Sequence, residues 1–189
     1  MTTYANDIVN CIQILNSGGI ILYPTDTIWG IGCDATNADA VKNIYQLKKR
    51  EEKKSMILLV SNERMIESFV LNPSKKILLF LSGQQKPTTA VFKNAINLPN
   101  ILINNDGTIA IRITKDEFCK SLIQQLQKPL VSTSANISGE KYLQNFLQIS
   151  GEIKNGVDYI VQHRQNDFKT YSPSTIIKLN DKDEIELIR

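Results

Sequence analysis

Apolar positions recur along this chain in two rhythms, one of three to four residues and one of two, with short polar stretches between them. Residues 6–17 place Val9, Ile12 and Leu15 on one helical face, and Gly18-Gly19 supply the stop. Ile20–Tyr23 reads as a buried strand ended by Pro24, and Asn37–Lys49 returns to helical spacing through Val41, Ile44 and Leu47. Met56–Val60 predicts a second strand, and Ile66–Leu81 predicts two short helices broken at Asn72-Pro73. Thr89–Phe92 and Thr108–Ile113 read as strands, the latter opened by the turn Asn104-Asn105-Asp106-Gly107. Asp116–Gln127 is amphipathic through Phe118, Leu122 and Leu126 and halts before Pro129. Leu130-Val131 reads as a brief strand and Tyr142–Gln148 as helical. Val157–Val161, Thr175–Leu179 and Glu184–Ile188 read as strands, the last two joined by Asn180-Asp181-Lys182-Asp183.

Strands interleaved with helices, with at least one hairpin, predict an α/β (α+β) fold: one domain over residues 1–189 around a sheet of mixed parallel and antiparallel strands. With 42% hydrophobic and 22% charged residues in 189, a packed core is expected and disorder is not. A net charge of +3 suits a phosphate-bearing partner, yet it is below that of a dedicated nucleic-acid binder. Cys11, Cys33 and Cys119 are odd in number and far apart, which argues against a disulfide framework or zinc site and suits a reducing cytoplasm. The N-terminus shows no signal-peptide pattern, and no apolar run approaches the ~20 residues of a membrane span, so a cytoplasmic protein is expected.

Several chemistries fall away on residue counts. His163 is the single histidine, and nothing near it resembles a nucleophile elbow, so it reads as a structural or surface residue. A His- or Cys-rich metal site is excluded, there is no phosphate-binding G-x-x-x-x-G-K-[ST], and Gly30-Ile31-Gly32 is too little for a dinucleotide fingerprint. Three hydroxyl-rich stretches remain: Pro24–Thr27 after the first strand, Ser132–Gly139 after Leu130-Val131, and Ser172–Thr175. Polar loops at strand ends are where α/β sheets build ligand sites, though hydroxyls bonding their own backbone would look the same. The stretch Leu47–Lys54 carries five cations and two glutamates. It reads either as a solvated helix end or as Lys48 and Arg50 reaching toward a polyphosphate.

These stretches, taken in order, resemble the YrdC-type family of threonylcarbamoyl-AMP synthases over nearly the whole chain. The family's YPTETVYGLGCDA loop stands here as Tyr23–Ala35, its K-x-R as Lys48-Lys49-Arg50 and its R-x-P-like strand as Ile111-Arg112-Ile113. Its STSAN-x-SG is Ser132–Gly139, and its late Ser-Thr is Ser174-Thr175. The resemblance implies a twisted sheet with a basic concave cleft. It also implies a reaction joining L-threonine, bicarbonate or CO2, and ATP with Mg2+ into threonylcarbamoyl-AMP and pyrophosphate, the product passing to transferase-complex proteins that modify tRNA. Carried over by motif, Lys48 and Arg50 are the catalytic and phosphate-binding cations. Thr25, Thr27, Arg112 and Ser174 take threonine and bicarbonate. Lys54, Thr89, Ser132, Ser134 and Asn136 join Lys48 and Arg50 on the ATP, Asp26 orients its loop, and Trp29 is an aromatic wall. No protein-ligated metal is implied. Alignment and charge neutralisation suffice for such chemistry, in keeping with the missing His and Cys machinery.

The chain departs from the pattern at Lys49, where the family commonly has Gly, at Glu51 for Pro, at Ser55-Met56 for Pro-Leu, and at Gln85-Lys86-Pro87 for Pro-Gly-Pro. Two rival readings stand beside the synthase: an RNA-binding protein of the same fold, and a paralogue that carbamoylates another substrate. Aromatics at 7%, not interleaved with the cations, favour neither stacking on single strands nor the first rival.

Overall fold

The computed structural model describes residues 4–51 and 55–189; the Lys54 assignment lies outside the described residues. Among these, nine strands make one mixed sheet: β1 (Ile21–Tyr23), β2 (Gly30–Gly32), β3 (Ile57–Val60), β4 (Thr88–Phe92), β5 (Ile109–Ile113), β6 (Leu130–Ser134), β7 (Tyr159–Ile160), β8 (Thr175–Leu179) and β9 (Ile185–Leu187). Their spatial order is β7-β1-β2-β6-β3-β5-β4-β8-β9. The pairs β1–β7, β3–β5 and β4–β8 are parallel and the rest antiparallel. Six helices flank the sheet: α1 (Ala5–Asn16), α2 (Ala38–Leu47), α3 (Glu63–Glu67), α4 (Lys75–Gly83), α5 (Glu117–Leu126) and α6 (Gly151–Asn155).

Local chemistry sets most helix starts. The side chains of Asn37, Asn62, Ser74, Asp116 and Ser150 each accept from a backbone N–H of the first turn of α2 to α6. Period-two alternation then splits the strands between two apolar layers. Ile21, Tyr23, Leu59 and Leu130 pack on Ile8, Cys11 and Leu15 of α1 and on Phe118, Leu122 and Ile123 of α5. Leu22, Ile31, Leu58, Val60, Ile111 and Val131 face the opposite layer, with Val41 and Ile44 of α2, Ile66 of α3 and Ile77 of α4.

Some expectations shift. The buried face of α1 is Ile8, Cys11 and Leu15, while Val9 is exposed, because Cys11 packs as an apolar residue and sets the phase one residue away. The break at Asn72-Pro73 holds, but the preceding helix begins at Glu63, where Asn62 caps it. In the stretch 142–148 only Phe146–Gln148 turns, as a single 3-10 helix. The Asn145 and Gln148 side chains there take backbone N–H groups that a longer helix would have used internally. The brief strand at Leu130 continues to Ser134, since β2 and β3 both pair with it. Strand β2 and helix α6 were not expected.

Gly32 explains part of the Gly30-Ile31-Gly32 stretch. A Cβ there would sit 2.4 Å from the Val131 carbonyl oxygen and 2.7 Å from Tyr23 Cε1, so the second glycine lets Tyr23 lie flat across β2. Close packing accounts for it, not phosphate binding.

Candidate active site

Strand register builds the site floor. Gly30 pairs with Ser134, Ile57 with both Ser132 and Ala110, Ala110 with Val91, and Thr89 with both Arg112 and Ile176. Residues directly opposite one another share a face. Side chains from β6, β3, β5, β4 and β8, beside the bare glycines of β2, therefore stand on the side of the sheet that α1 and α5 cover only around Ile21, Tyr23, Leu59 and Leu130. The uncovered remainder is a cavity of about 410 Å³. Ile57, Val91, Ala110 and Ile176 form its apolar floor, Ser132, Thr133 and Ser134 one wall, and Thr27 to Gly30 another. Arg50, Arg112 and Arg189 enter from different sides, and among the described residues Glu140 is the one carboxylate lining it.

The far wall comes from a long crossing. β7 and β8 lie seven strand intervals apart, roughly 34 Å at ~4.8 Å each. The fourteen residues 161–174 that join them reach at most about 48 Å, enough to cross the sheet with turns to spare. Its start is tied to α1, where the buried Asp7 carboxylate accepts from the N–H groups of Gln162 (3.0 Å) and His163 (2.9 Å) and from the Tyr159 hydroxyl (2.6 Å). Arg164 then reaches Asp116 at 2.6 Å, and the segment delivers Pro173 and Ser174 to the cavity. His163 sits 5.0 Å from the Tyr4 ring and 5.9 Å from Phe118, and burial lowers its pKa. Its contacts are those of a packing residue.

Asp26 and Arg112 form a buried pair, Oδ1 to Nη2 3.2 Å, and Asp26 Oδ2 accepts from the Lys115 N–H at 3.0 Å. The pair is close but not aligned as a hydrogen bond: Asp26 Oδ1 and Arg112 Nε both lack a hydrogen-bond partner although buried. Arg112 lines the cavity, while its Nε lies buried without a partner. Thr25 and Thr27 share a hydroxyl contact of 2.9 Å. Thr25 also takes the Thr27 N–H and donates to the Ile28 carbonyl, so Thr25 shapes the loop while Thr27 lines the cavity. Ser174 and Thr89 meet at 2.8 Å. Ser174 faces the cavity, and Thr89 lies behind it. Trp29 is buried against Phe146, ring centroids 4.9 Å apart, with Lys154 over the Phe146 ring.

The K-x-R stretch is the C-terminal cap of α2. The Arg50 N–H bonds the Tyr45 carbonyl and the Lys49 N–H that of Gln46, a Schellman arrangement with Lys49 left-handed at φ +49°. That reversal sends Arg50 into the cavity, where Nη2 donates to the Ser55 carbonyl at 2.9 Å. Lys48 turns the other way. It is 1% exposed and does not line the cavity; Nζ donates to the carbonyls of Ser134 and Asn136 (2.5 Å for the latter) and lies 3.4 Å from Asn136 Oδ1. Burial pushes its amine down to about 7, with the Arg50 cation adding to this and the Glu140 carboxylate opposing. Ser134 Oγ donates to Asn136 Oδ1 at 2.5 Å, and Asn136 Nδ2 to the Glu140 carbonyl at 2.7 Å. Asn136 lies behind the wall that Ser132 and Ser134 present.

Among the described residues there is no group of three or more His, Cys, Asp or Glu that could hold a metal. No helix among them is long and apolar enough to cross a membrane. The three cysteines are buried, and burial raises all their thiols, Cys11 to about 12. Sequence reasoning missed Arg189, Glu140, Tyr142 and Asn104, which also line the cavity. Glu140 and Tyr142 continue the polar run after Gly139, a signal that was available, whereas Arg189 arrives only through the pairing of β9 with β8.

Comparison with known proteins gives the family of the chain. A threonylcarbamoyl-AMP synthase of Coxiella burnetii is 32% identical over 86% of this chain and 88% of its own length. One of Hydrogenovibrio crunogenus is 36% identical over 68% of this chain and 71% of its own. The fold matches the crystal structure of P. abyssi Sua5 complexed with L-threonine with a TM-score of 0.85 at 21% identity, covering 96% of this chain but about half (53%) of that one. The Sua5/YciO/YrdC family model, described as telomere recombination, matches residues 13–189. With that match across almost the whole chain and relatives above 30% identity over most of it, the chain belongs to the Sua5/YciO/YrdC family.

Proposed function

We propose that the protein is an L-threonylcarbamoyladenylate synthase, joining L-threonine, bicarbonate or CO2, and MgATP into threonylcarbamoyl-AMP with release of pyrophosphate. The observation that carries this reading is a cavity with three arginines set around neutral hydroxyls in a chain whose relatives bear this one activity. Carboxylation of the threonine amine gives a carbamate. One carbamate oxygen attacks the α-phosphorus of ATP, a new P–O bond forms, and the bond to the bridging oxygen breaks as pyrophosphate leaves. No enzyme nucleophile is needed, and the buried, strongly weakened thiols do not offer one.

In this reading the Arg112 guanidinium, which lines the cavity, takes the threonine carboxylate, while Thr27 and Ser174 bond the hydroxyl and carbamate. Arg50 and Arg189 neutralise the phosphates, a task suited to planar forks. Ser132 and Ser134 face the nucleotide, and Thr25, Thr89 and Asn136 brace these groups from behind. Magnesium would enter as part of MgATP and supply counter-charge to the phosphates, and Glu140 is the carboxylate on the cavity lining that could meet it. The product is passed to a threonylcarbamoyl transferase that modifies tRNA, in a cytoplasmic setting that unpaired cysteines suit.

The test is pyrophosphate release from MgATP with threonine and bicarbonate each supplied or omitted. Release that requires both is expected. Release that ignores threonine, or none at all, overturns the reading, and RNA binding that falls steeply with salt would then favour the nucleic-acid alternative.

A further inference from the structure

We infer that Lys48 is a positioning residue for the 134–138 loop and does not contact the phosphates. This inference rests on the synthase reading for its substrate, but its geometry stands alone. Lys48 grips that loop with both ends of the residue. Its amine meets the carbonyls of Ser134 and Asn136 and approaches Asn136 Oδ1, while its own carbonyl accepts from the Ser138 N–H at 2.9 Å. Three oxygens take up the three directions in which an ammonium donates, so none is left to aim at a ligand. Among the described residues the charges that act on its amine are Arg50 and Glu140, both of which line the cavity that Lys48 does not.

The two cations of K-x-R thus divide the work. Lys49 reverses the chain between them, so that Arg50 enters the cavity and Lys48 turns under its wall. Lys48 fixes where the Ser134 hydroxyl stands and how Asn136 ties back to Glu140. A ligand-binding lysine and a loop-holding lysine make different demands. Loss of a phosphate ligand weakens binding in step with the number of phosphates. Loss of a brace weakens every nucleotide that touches the wall alike.

Binding of MgATP and of AMP is measured for wild type, Lys48→Met and Lys48→Arg, using the emission of Trp29, the chain's single tryptophan and a lining residue. Both variants are expected to bind ATP and AMP more weakly by the same factor, roughly tenfold if two wall hydrogen bonds are lost. A loss confined to ATP, or no loss for either nucleotide, overturns the inference. A second measurement needs no variant: the rate at which Lys48 is acetylated in the wild-type protein, beside exposed Lys49, with and without MgATP. An amine titrating near neutrality would be the fastest to react if solvent reached it. Slow labelling that ATP leaves unchanged is expected, and fast labelling that ATP blocks would make Lys48 a ligand. If wild type binds no nucleotide, the synthase reading fails, while the labelling result still decides the loop-holding role.

Discussion

Replacing Asp26 by alanine would strand the Arg112 guanidinium inside the sheet. At 3.2 Å and an effective dielectric of about 20, the pair's attraction is roughly 5 kcal/mol. Part of it returns, because the carboxylate no longer has to be stripped of water, and breaking a buried pair typically costs about 3–5 kcal/mol. The Lys115 N–H also loses its acceptor, but it lies where water can replace it. The expected destabilisation is therefore about 3 kcal/mol, or about 6–12 °C in Tm for a chain of this length. Urea unfolding, with the m-value checked for constancy, measures it directly. The double variant Asp26→Leu, Arg112→Met removes both charges and should recover to within ~1 kcal/mol of wild type while pyrophosphate release stays lost. An Asp26→Ala protein within ~1 kcal/mol of wild type would show that solvent compensates the pair, and Arg112 would lose its standing as a guanidinium in need of a second carboxylate.

Lys49→Gly should leave stability unchanged or slightly higher, since relief of ~1 kcal/mol at a left-handed residue offsets glycine's entropy, whereas Lys49→Val should lose about 1–2 kcal/mol; urea midpoints decide. The ion pair of Lys49 with Glu152 is exposed and adds little. Gly32→Ala should cost ~2 kcal/mol or more by the same assay, because the atoms a Cβ meets belong to a paired strand and a buried ring. Stability should also follow pH with a maximum on the alkaline side. Lys48 has a lowered folded pKa, so between about 7 and 10.5 the unfolded chain binds the extra proton and stability rises. Above ~8.5 the unfolded cysteines ionise while Cys11, Cys33 and Cys119 stay protonated in the fold, so stability falls again. A monotonic fall from pH 7 would refute the Lys48 part.

Helices with both a cap residue and a periodic face were legible in the amino-acid order alone, as Asn37 ahead of α2 and Asp116 ahead of α5 illustrate. Strand β2 and the second half of β6, which matter most for the site, were not. β2 is three residues, two of them glycine, and the second half of β6 is hydroxyls, so neither carries apolar alternation. They are strands because neighbours distant in sequence supply the hydrogen bonds. The hydroxyl-rich loops did stand out as poor core material, and the structure sets residues of all three on the cavity wall. What no local pattern could tell is which way Lys48 faces, because its acceptors lie 86 and 88 residues further on. Arg189 was hidden for the same reason.

The position of β6 has a mechanical consequence. It is the seam between three strands on one side and five on the other, and the cavity straddles it: Thr27 and Trp29 belong to the smaller block, Arg112 and Ile176 to the larger. A molecule filling that space would touch both blocks at once, so its contacts would add to the β2–β6 and β6–β3 hydrogen bonds in holding them together.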